Sequence, residues 1–178
     1  RITIDLHGCL DRYKGKYTKG EIHPVFDAII ARCFELGIIV IVLSYIGIRN
    51  TELREDAVQR VSDWSDRLAR GYPFLLPVLP LQLEITPDRC EKRGKAEFCI
   101  KNGIIAHFDD HPEISRECDL RGVRCFRIQI DRKDHHIHWQ WSSTKKEREH
   151  NFEVFWDLCD ALEAFLDEGP PTSCGPYD

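Results

Sequence analysis

Several polar and charged residues directly follow the predicted strands of this chain, where a parallel sheet usually binds its ligands. They are Asp5-Leu6-His7-Gly8 after the first strand, Ser44 and Tyr45 after the second, Asp109 and Asp110 after the fourth, and Lys95 at a predicted helix start. In open α/β sheets, ligands bind just past the carboxyl ends of the strands. We therefore expect these groups to converge on one edge of the sheet.

Each of these residue types suits phosphoryl chemistry at a metal site. Asp5, Asp109 and Asp110 supply the hard oxygen ligands that Mg²⁺ prefers. Lys95 neutralises charge, and Gly8 allows a sharp turn that exposes backbone N–H groups to an anion. An aspartate beside a cation and a lysine can attack phosphorus and form an aspartyl-phosphate that water hydrolyses. Taken singly, the Asp109-Asp110 pair is also typical of a helix N-terminus, so the functional interpretation requires that these groups meet.

Alternating strands and helices position these groups. Apolar periodicity predicts strands at Ile2–Leu6, Ile38–Leu43, Leu81–Thr86, Ile104–Phe108 and Val123–Ile130, and helices at Val25–Leu36, residues 51–70, Lys95–Lys101, residues 112–121 and Asn151–Leu166. Pro112 suits the first turn of its helix, and His111 before it is expected to cap that helix. This order predicts an α/β fold, a Rossmann-like three-layer sandwich with a central, mainly parallel five-stranded sheet.

The order and strand context of the polar residues resemble the haloacid dehalogenase-like (HAD) superfamily of phosphohydrolases over residues 2 to about 130. The family's first motif, an Asp followed by x-Asp-Gly, corresponds to Asp5-Leu6-His7-Gly8. Its second motif, a Ser or Thr at the end of a strand, corresponds to Ser44. Its third, a Lys, corresponds to Lys95, with Lys92 as second choice, and its fourth, an acidic pair, to Asp109-Asp110. The motifs are weak singly and fairly specific together.

This resemblance implies a Mg²⁺-dependent phosphatase that acts through an aspartyl-phosphate on an exposed or macromolecular phosphate. Asp5 would be both the nucleophile and a metal ligand. The other metal ligands that it implies are the backbone carbonyl of His7, Asp109 and Asp110, and the phosphate-binding residues are Ser44, Tyr45 and Lys95.

His7 departs from the family's motif at a position that bears on catalysis. The family's phosphatases commonly carry an Asp there, which acts first as general acid and then as base. Histidine side chains titrate near neutrality and can serve both roles, so His7 is the candidate acid/base and the pH profile of activity should reflect it. The alternative is a catalytically inactive HAD-like module that binds a phosphorylated partner or mediates protein interaction.

The lengths between the motifs predict an open site. Family members that act on small metabolites usually carry a cap domain after the first or second motif, whereas residues 8–24 suffice only for a flap, and one helix and one strand use up residues 45–94. A capless site suits a phosphate on a macromolecule, or closure by a partner or neighbouring domain. Candidate contacts in the flap are Tyr13, Lys14, Lys16, Tyr17 and Lys19, with a solvated loop as the equal alternative.

Composition limits the classes of partner. Lys and Arg number 25 against 30 Asp and Glu, for a net charge of −5. This does not indicate a broad nucleic-acid-binding face, so a nucleic-acid end-processing phosphatase is a third, less favoured interpretation. No apolar run reaches the roughly 20 residues needed to span a bilayer, and we expect no membrane partner.

Cysteine usage and the chain ends suggest where the protein works. The eight cysteines form no CxxC pair, which favours reduced thiols that pack as small hydrophobic groups in an intracellular (cytoplasmic or nuclear) protein. The chain starts directly in a strand and contains no Met, as expected for part of a larger multidomain protein. We predict a HAD-like domain over residues 1–167 and a Gly/Pro-rich tail or linker over residues 168–178.

A histidine-rich segment follows the last predicted strand. On a strand, His136 and His138 would project to one side, as metal ligands do, but no further ligands follow at a recognisable spacing. A structural or surface cluster is favoured. Trp139 and Trp141 could stack on bases, although core or interface packing is the commoner use of tryptophan.

Overall fold

The computed structural model describes residues 1–10, 22, 25–86, 91–130, 137–141 and 148–152. The strands in these ranges are β1 (Ile2–Ile4), β2 (Val40–Tyr45), β3 (Gln82–Thr86), β4 (Ala106–Asp109), β5 (Cys125–Ile130), β6 (Ile137–Trp141) and β7 (Arg148–Phe152). The α-helices are α1 (Val25–Glu35), α2 (Thr51–Gly71), α3 (Glu91–Lys101) and α4 (Pro112–Leu120).

The seven strands form one sheet in the order β3-β2-β1-β4-β5-β6-β7. The first five strands in this order, β3 to β5, pair in parallel with their neighbours. This confirms the predicted α/β fold with a parallel five-stranded sheet. Strands β6 and β7 extend the sheet as an antiparallel pair beyond β5. Strand β1 lies between β2 and β4, so the residues that follow β1 and end β4 are neighbours at the same edge.

Two hydrophobic cores lie on opposite faces of the sheet. One packs strand residues such as Ile4, Val42 and Phe108 against helices α1 and α2. The other packs Ile41 and Leu43 against α3 and α4. Because side chains alternate along a strand, the intervening residues Thr3, Asp5, His107 and Asp109 lie on the α3/α4 side. A polar column therefore runs through this second core toward the carboxyl edge.

Local capping fixes two helix starts. The Asn50 side chain accepts a hydrogen bond from the Leu53 backbone N–H at 3.2 Å, which satisfies a free amide at the start of α2. His111 caps α4 as predicted, since its Nδ1 accepts from the Glu113 backbone N–H at 3.3 Å. Pro112 then occupies the first turn of α4, where no amide hydrogen is needed.

Three differences from the predicted elements concern the site or the core. Helix α3 begins at Glu91 rather than Lys95, which places Lys95 in its second turn. Strand β2 runs through Tyr45, so Ser44 lies within the strand rather than after it. The apolar periodicity of residues 51–70 predicts that Val58 lies on the buried side of α2, yet it is 56% exposed, because the buried stripe of that helix passes through Ala57 and Val61 instead.

The segment after β5 also differs from its prediction. A connection was expected up to residue 150 and a helix from Asn151, whereas the structure places β6 and β7 there and ends β7 at Phe152. Antiparallel pairing with β6 supplies β7 with backbone partners that its own polar sequence does not suggest. The predicted helix after residue 152, the flap at residues 11–21 and the tail lie outside the described residues.

Two further expectations concern the described residues. Their five cysteines, Cys9, Cys33, Cys99, Cys118 and Cys125, are all buried free thiols, as predicted. Across the ranges that the structure describes, every helix is too short or too polar to cross a bilayer.

Candidate functional site

A tight turn follows β1 and leads away from Asp5. The turn covers Leu6–Leu10 and is closed by the Leu10 backbone N–H, which donates to the Asp5 carbonyl oxygen at 3.3 Å. His7 (φ −85, ψ 116) and Gly8 (φ 88, ψ −17) have the dihedral angles of a type II turn, which needs positive φ at its third residue. The sequence prediction of a sharp turn at Gly8 is thereby confirmed.

Gly8 is also required for space. A Cβ atom added to it would lie 2.7 Å from Cγ of Asp110 and closer still to Oδ2 of that residue. The carboxylate of Asp110 therefore packs directly against the backbone of the turn. A glycine at this position allows both the backbone conformation and the approach of the acidic side chain.

Three carboxylates meet beside this turn. Asp5, Asp109 and Asp110 each offer an oxygen atom, and these atoms lie within 4.8 Å of one another. Asp5 and Asp109 are buried, and Asp110 is half-buried. Carboxylate oxygens at this spacing suit a small divalent cation, so the donor set fits the Mg²⁺ that the sequence resemblance implies.

Lys95 joins two of these carboxylates. Its Nζ lies 2.7 Å from Oδ1 of Asp5 and 2.7 Å from Oδ2 of Asp109, and the side chain is only 1% exposed. One ammonium group lies between the two buried carboxylates of Asp5 and Asp109, so their negative charge exceeds that of Lys95 by one when both are ionised. Such an excess of buried negative charge favours the binding of a cation.

A second set of contacts holds Asp109. His107 Nε2 lies 3.0 Å from Oδ2 of Asp109, and the His111 backbone N–H donates to Oδ1 at 2.8 Å. Behind His107, the Thr3 hydroxyl lies 2.8 Å from Nδ1 of the ring and 3.5 Å from Sγ of Cys99. Both oxygens of Asp109 thus accept hydrogen bonds, and its carboxylate is held in one orientation.

The surroundings separate the pKa values of the two buried aspartates. Burial raises the pKa of Asp5 to about 7; Lys95 opposes this shift, and the Asp109 charge adds to it. Burial also acts to raise the pKa of Asp109, but the charge of Lys95 and the His107 hydrogen bond outweigh it and hold that pKa well below its ordinary value. Burial acts to lower the pKa of Lys95, whereas its two carboxylate partners raise it above the usual range. At neutral pH, Asp109 is ionised and Lys95 is charged.

Ser44 and Tyr45 lie on the strand next to β1. Ser44 is fully buried, and its Oγ atom makes no hydrogen bond to any residue that the structure describes. Its backbone carbonyl accepts from the Thr86 hydroxyl at 3.4 Å. Within the described ranges, no hydrogen bond joins either residue to the carboxylates. The structure thus brings Asp5, Lys95, Asp109 and Asp110 into one cluster and leaves Ser44 with an unused hydroxyl on the neighbouring strand.

The remaining predicted site residues fall into two groups. His7 lies in the turn itself and is partly buried. The side chains of Lys92 and His138, the flap residues 13–19 and His136 lie outside the described residues. Their predicted roles therefore stay predictions.

Thr3 and His107 lie within their strands, so the expectation that functional side chains follow the strands did not include them. A signal was present in the sequence. Thr3 and Asp5 alternate with apolar residues along β1 and directly after it, and His107 and Asp109 do so along β4. Polar residues with period two inside two buried strands indicate a polar column on one face.

Comparison with known proteins adds no family assignment. No protein-family model matches the chain, and no curated protein matches it. The functional inference therefore rests on the side chains that meet where β1 and β4 end.

Proposed function

We propose that this chain is a Mg²⁺-dependent phosphohydrolase of the HAD-like type, with Asp5 as its nucleophile. One observation carries the proposal: Asp5, Asp109 and Asp110 converge within 4.8 Å, and Lys95 bridges the first two. The sequence resemblance expects a nucleophile, an acidic pair and a lysine at these positions. Three separate chain segments supply them, at residues 5, 95 and 109–110.

The metal ligands in this proposal are Asp5, Asp109, Asp110 and the backbone carbonyl of His7. Bound Mg²⁺ would polarise the phosphoryl group and offset negative charge on the carboxylates. Lys95 bridges Asp5 and Asp109 through a single buried ammonium group. This contact keeps the nucleophile in place before the substrate arrives.

The reaction proceeds in two steps in this proposal. Lys95 engages Oδ1 of Asp5, so we assign the attack on phosphorus to Oδ2. A P–O bond forms to Asp5 while the bond to the leaving oxygen breaks, and that oxygen takes a proton from His7. Water then attacks the aspartyl-phosphate, gives its proton to His7 and restores the Asp5 carboxylate. The unused Ser44 hydroxyl would donate to a phosphoryl oxygen, and Tyr45 would line the same side.

The substrate class follows from the predicted absence of a cap. An open site accepts a phosphate presented on a macromolecule, whereas a small metabolite would need closure by a neighbouring domain or a partner. The net charge of −5 does not favour nucleic acid as that macromolecule. We therefore propose phosphorylated protein substrates before nucleic-acid ends.

The decisive experiment measures hydrolysis of an aryl phosphate with Mg²⁺ and with a chelator. We expect Mg²⁺-dependent turnover in the wild type and its loss in Asp5→Asn, which keeps the size of the side chain but removes the nucleophilic oxygen. Asp66→Asn, at an exposed position of α2, is the matched control and should retain turnover. Hydrolysis that persists in Asp5→Asn would refute the assigned nucleophile.

A non-catalytic phosphate-binding module is the second candidate, because His7 replaces the Asp that the family's phosphatases commonly carry. This function uses the same residues for binding and omits the chemical step. A wild-type protein that binds Mg²⁺ and inorganic phosphate in calorimetry, yet hydrolyses no aryl phosphate, would favour it. Beryllofluoride bound at Asp5 would identify the same anchoring oxygen in either case.

A further inference from the structure

Thr3, His107 and Asp109 form a continuous chain of buried side chains beneath the carboxylate cluster. Thr3 and His107 face each other in register on β1 and β4. The Thr3 hydroxyl lies 2.8 Å from Nδ1 of His107, and Nε2 of the same ring lies 3.0 Å from Oδ2 of Asp109. All three side chains are fully buried. Their hydrogen positions are therefore set by one another rather than by solvent.

The direction of these hydrogen bonds follows from the acceptor at one end. An ionised carboxylate oxygen can only accept, so Nε2 of His107 must carry the hydrogen and donate to Asp109. With the hydrogen on Nε2, the Nδ1 atom of the ring is the acceptor for the Thr3 hydroxyl at 2.8 Å, and the Thr3 oxygen remains free to accept from Cys99. Both hydrogen bonds in this series, from Thr3 to His107 and from His107 to Asp109, are thus donated in the direction of Asp109.

These contacts determine which oxygen of Asp109 is left for a cation. Oδ2 already accepts from Lys95 and His107, whereas the one donor to Oδ1 among the described residues is the His111 backbone N–H at 2.8 Å. A carboxylate oxygen that already accepts two hydrogen bonds has little capacity to bind a third partner. Asp109 can therefore offer a cation one oxygen, Oδ1, and cannot bind it with both.

We infer that His107, oriented by Thr3, is a positioning residue that reserves Oδ2 of Asp109 and presents Oδ1 alone to the cation. This inference rests on the proposed function, since it concerns the same metal site. Coordination through one oxygen per carboxylate suits the octahedral geometry of Mg²⁺, whereas Ca²⁺ readily takes both oxygens of a carboxylate. Groups behind a metal ligand typically change metal affinity by 10- to 100-fold when they are lost.

The first test reads the His107 ring directly, without metal. Long-range ¹H–¹⁵N correlation spectra distinguish the two neutral tautomers and the cation, and the His107→Gln variant identifies the signal of His107. We expect the hydrogen on Nε2 and an accepting Nδ1 in the wild type and in Thr3→Ser, and a mixture of tautomers in Thr3→Val, which removes the hydroxyl at nearly constant volume. A wild-type ring without hydrogen on Nε2 would overturn the inference.

The second test measures Mg²⁺ and Ca²⁺ affinity by calorimetry. Thr3→Val should weaken Mg²⁺ binding by about 10- to 100-fold and lower the ratio of Mg²⁺ to Ca²⁺ affinity, whereas Thr3→Ser should preserve both. Ile41→Val is the matched control, because Ile41 pairs with Thr3 across β1 and β2 and packs in the same core. It should leave both affinities unchanged. Equal affinities in wild type and Thr3→Val would refute the positioning role.

Different results would contradict the proposed hydrolase function and the proposed positioning role of His107 and Thr3. Intact Mg²⁺ binding that responds to Thr3→Val, without turnover of any phosphate ester, contradicts the proposed hydrolase and supports the positioning role. If the protein hydrolyses phosphate esters but Thr3→Val binds Mg²⁺ as tightly as the wild type, only the positioning role is contradicted. A wild type that binds no Mg²⁺ contradicts both.

Discussion

The ammonium of Lys95 lies 2.7 Å from Oδ1 of Asp5, in an interior where both side chains are almost fully buried. Lys95→Met would leave Asp5 facing Asp109 with no cation between them. Removal of one partner from a buried ion pair costs about 3–5 kcal/mol, and we predict a loss of stability of that size at neutral pH. Urea unfolding in the presence of a chelator measures it.

Added Mg²⁺ should restore part of this loss, because a cation at the site would replace the missing positive charge. Lys101→Met removes an exposed lysine from the end of the same helix and should change stability by no more than about 0.5 kcal/mol. If the two variants unfold at the same urea concentration, the Lys95 ion pair contributes nothing to the fold.

The metal-free protein should lose stability as pH rises, through Asp5. Its pKa is about 7 in the folded chain against an ordinary value of 3.8. Between these values the folded state keeps a proton that the unfolded state has released, so the free energy of unfolding falls with increasing pH, by about 1 kcal/mol per pH unit. The lowered pKa of Asp109 acts oppositely, and its contribution is lost only when the pH falls below about 4.

Urea unfolding of the wild type and of Asp5→Asn between pH 4 and 8, with a chelator, isolates this effect as the difference between the two proteins. Mg²⁺ competes with the Asp5 proton, so its affinity should rise with pH up to about 7 and then level off. A wild-type-to-variant difference that does not change with pH would contradict the raised pKa.

Gly8→Ala should affect both stability and metal binding. A positive φ at a non-glycine residue costs of order 1–3 kcal/mol, and the added Cβ would displace the Asp110 carboxylate. Gly122→Ala is the matched control, since Gly122 also has positive φ (73°) but its Cβ would meet no atom within 4 Å. Both variants should unfold at lower urea, and only Gly8→Ala should bind Mg²⁺ more weakly in calorimetry.

Ser44→Ala should separate stability from phosphate binding. The buried Ser44 hydroxyl has no partner among the residues that the structure describes, so its removal should leave stability unchanged or raise it by up to about 1 kcal/mol. If the proposed phosphatase function is correct, inorganic phosphate should then inhibit hydrolysis about 10- to 100-fold more weakly, because a hydrogen bond to a charged group contributes about 1.5–3 kcal/mol.

Ser65→Ala provides the opposite case. The Ser65 hydroxyl is buried, donates to the Val61 carbonyl at 2.8 Å and accepts from the Leu81 backbone N–H at 3.0 Å. Its removal should lower stability by about 1–3 kcal/mol and leave phosphate inhibition unchanged. The same response from both serine variants would contradict a reserved role for Ser44.

His7→Ala should slow the hydrolysis of alkyl phosphates more than that of aryl phosphates. An alkyl leaving oxygen needs a proton in the transition state, whereas an activated aryl oxygen leaves as the anion, so loss of a general acid penalises the first selectively. Comparison of kcat/KM for the two substrate types, at a constant Mg²⁺ concentration, measures this difference. Equal losses for both would contradict His7 as the acid.

Periodicity was sufficient to predict the parallel sheet and its helices, because buried strands and amphipathic helices carry strong local patterns. Periodicity failed at β7, where backbone pairing with a neighbouring strand outweighs the local hydrophobic pattern. The β7 sequence Arg148-Glu149-His150-Asn151-Phe152 has little apolar alternation, and its strand is defined by its backbone partners on β6. The start of α3 was placed too late because the charged residues 91–93 before Gly94 carry no apolar stripe.

The main site residues were predictable because carboxyl ends of parallel strands must share an edge. The partners of each residue were not. Lys95 was expected to hold phosphate, and the structure adds that it bridges Asp5 and Asp109, a contact that depends on the distance from α3 to the sheet. His107 and Thr3 meet only because β4 pairs with β1 in one particular register, which sequence spacing does not define.

The central position of β1, between β2 and β4, has a consequence for how the protein acquires its site. Asp5 directly follows β1 and Asp109 ends β4, so they meet only after β4 has inserted beside β1 in the middle of the sheet. Cation binding therefore requires that the whole sheet has folded, and not only one local segment. A divalent ion that binds this site should act as a ligand for the native state alone and protect residues far from it against global unfolding.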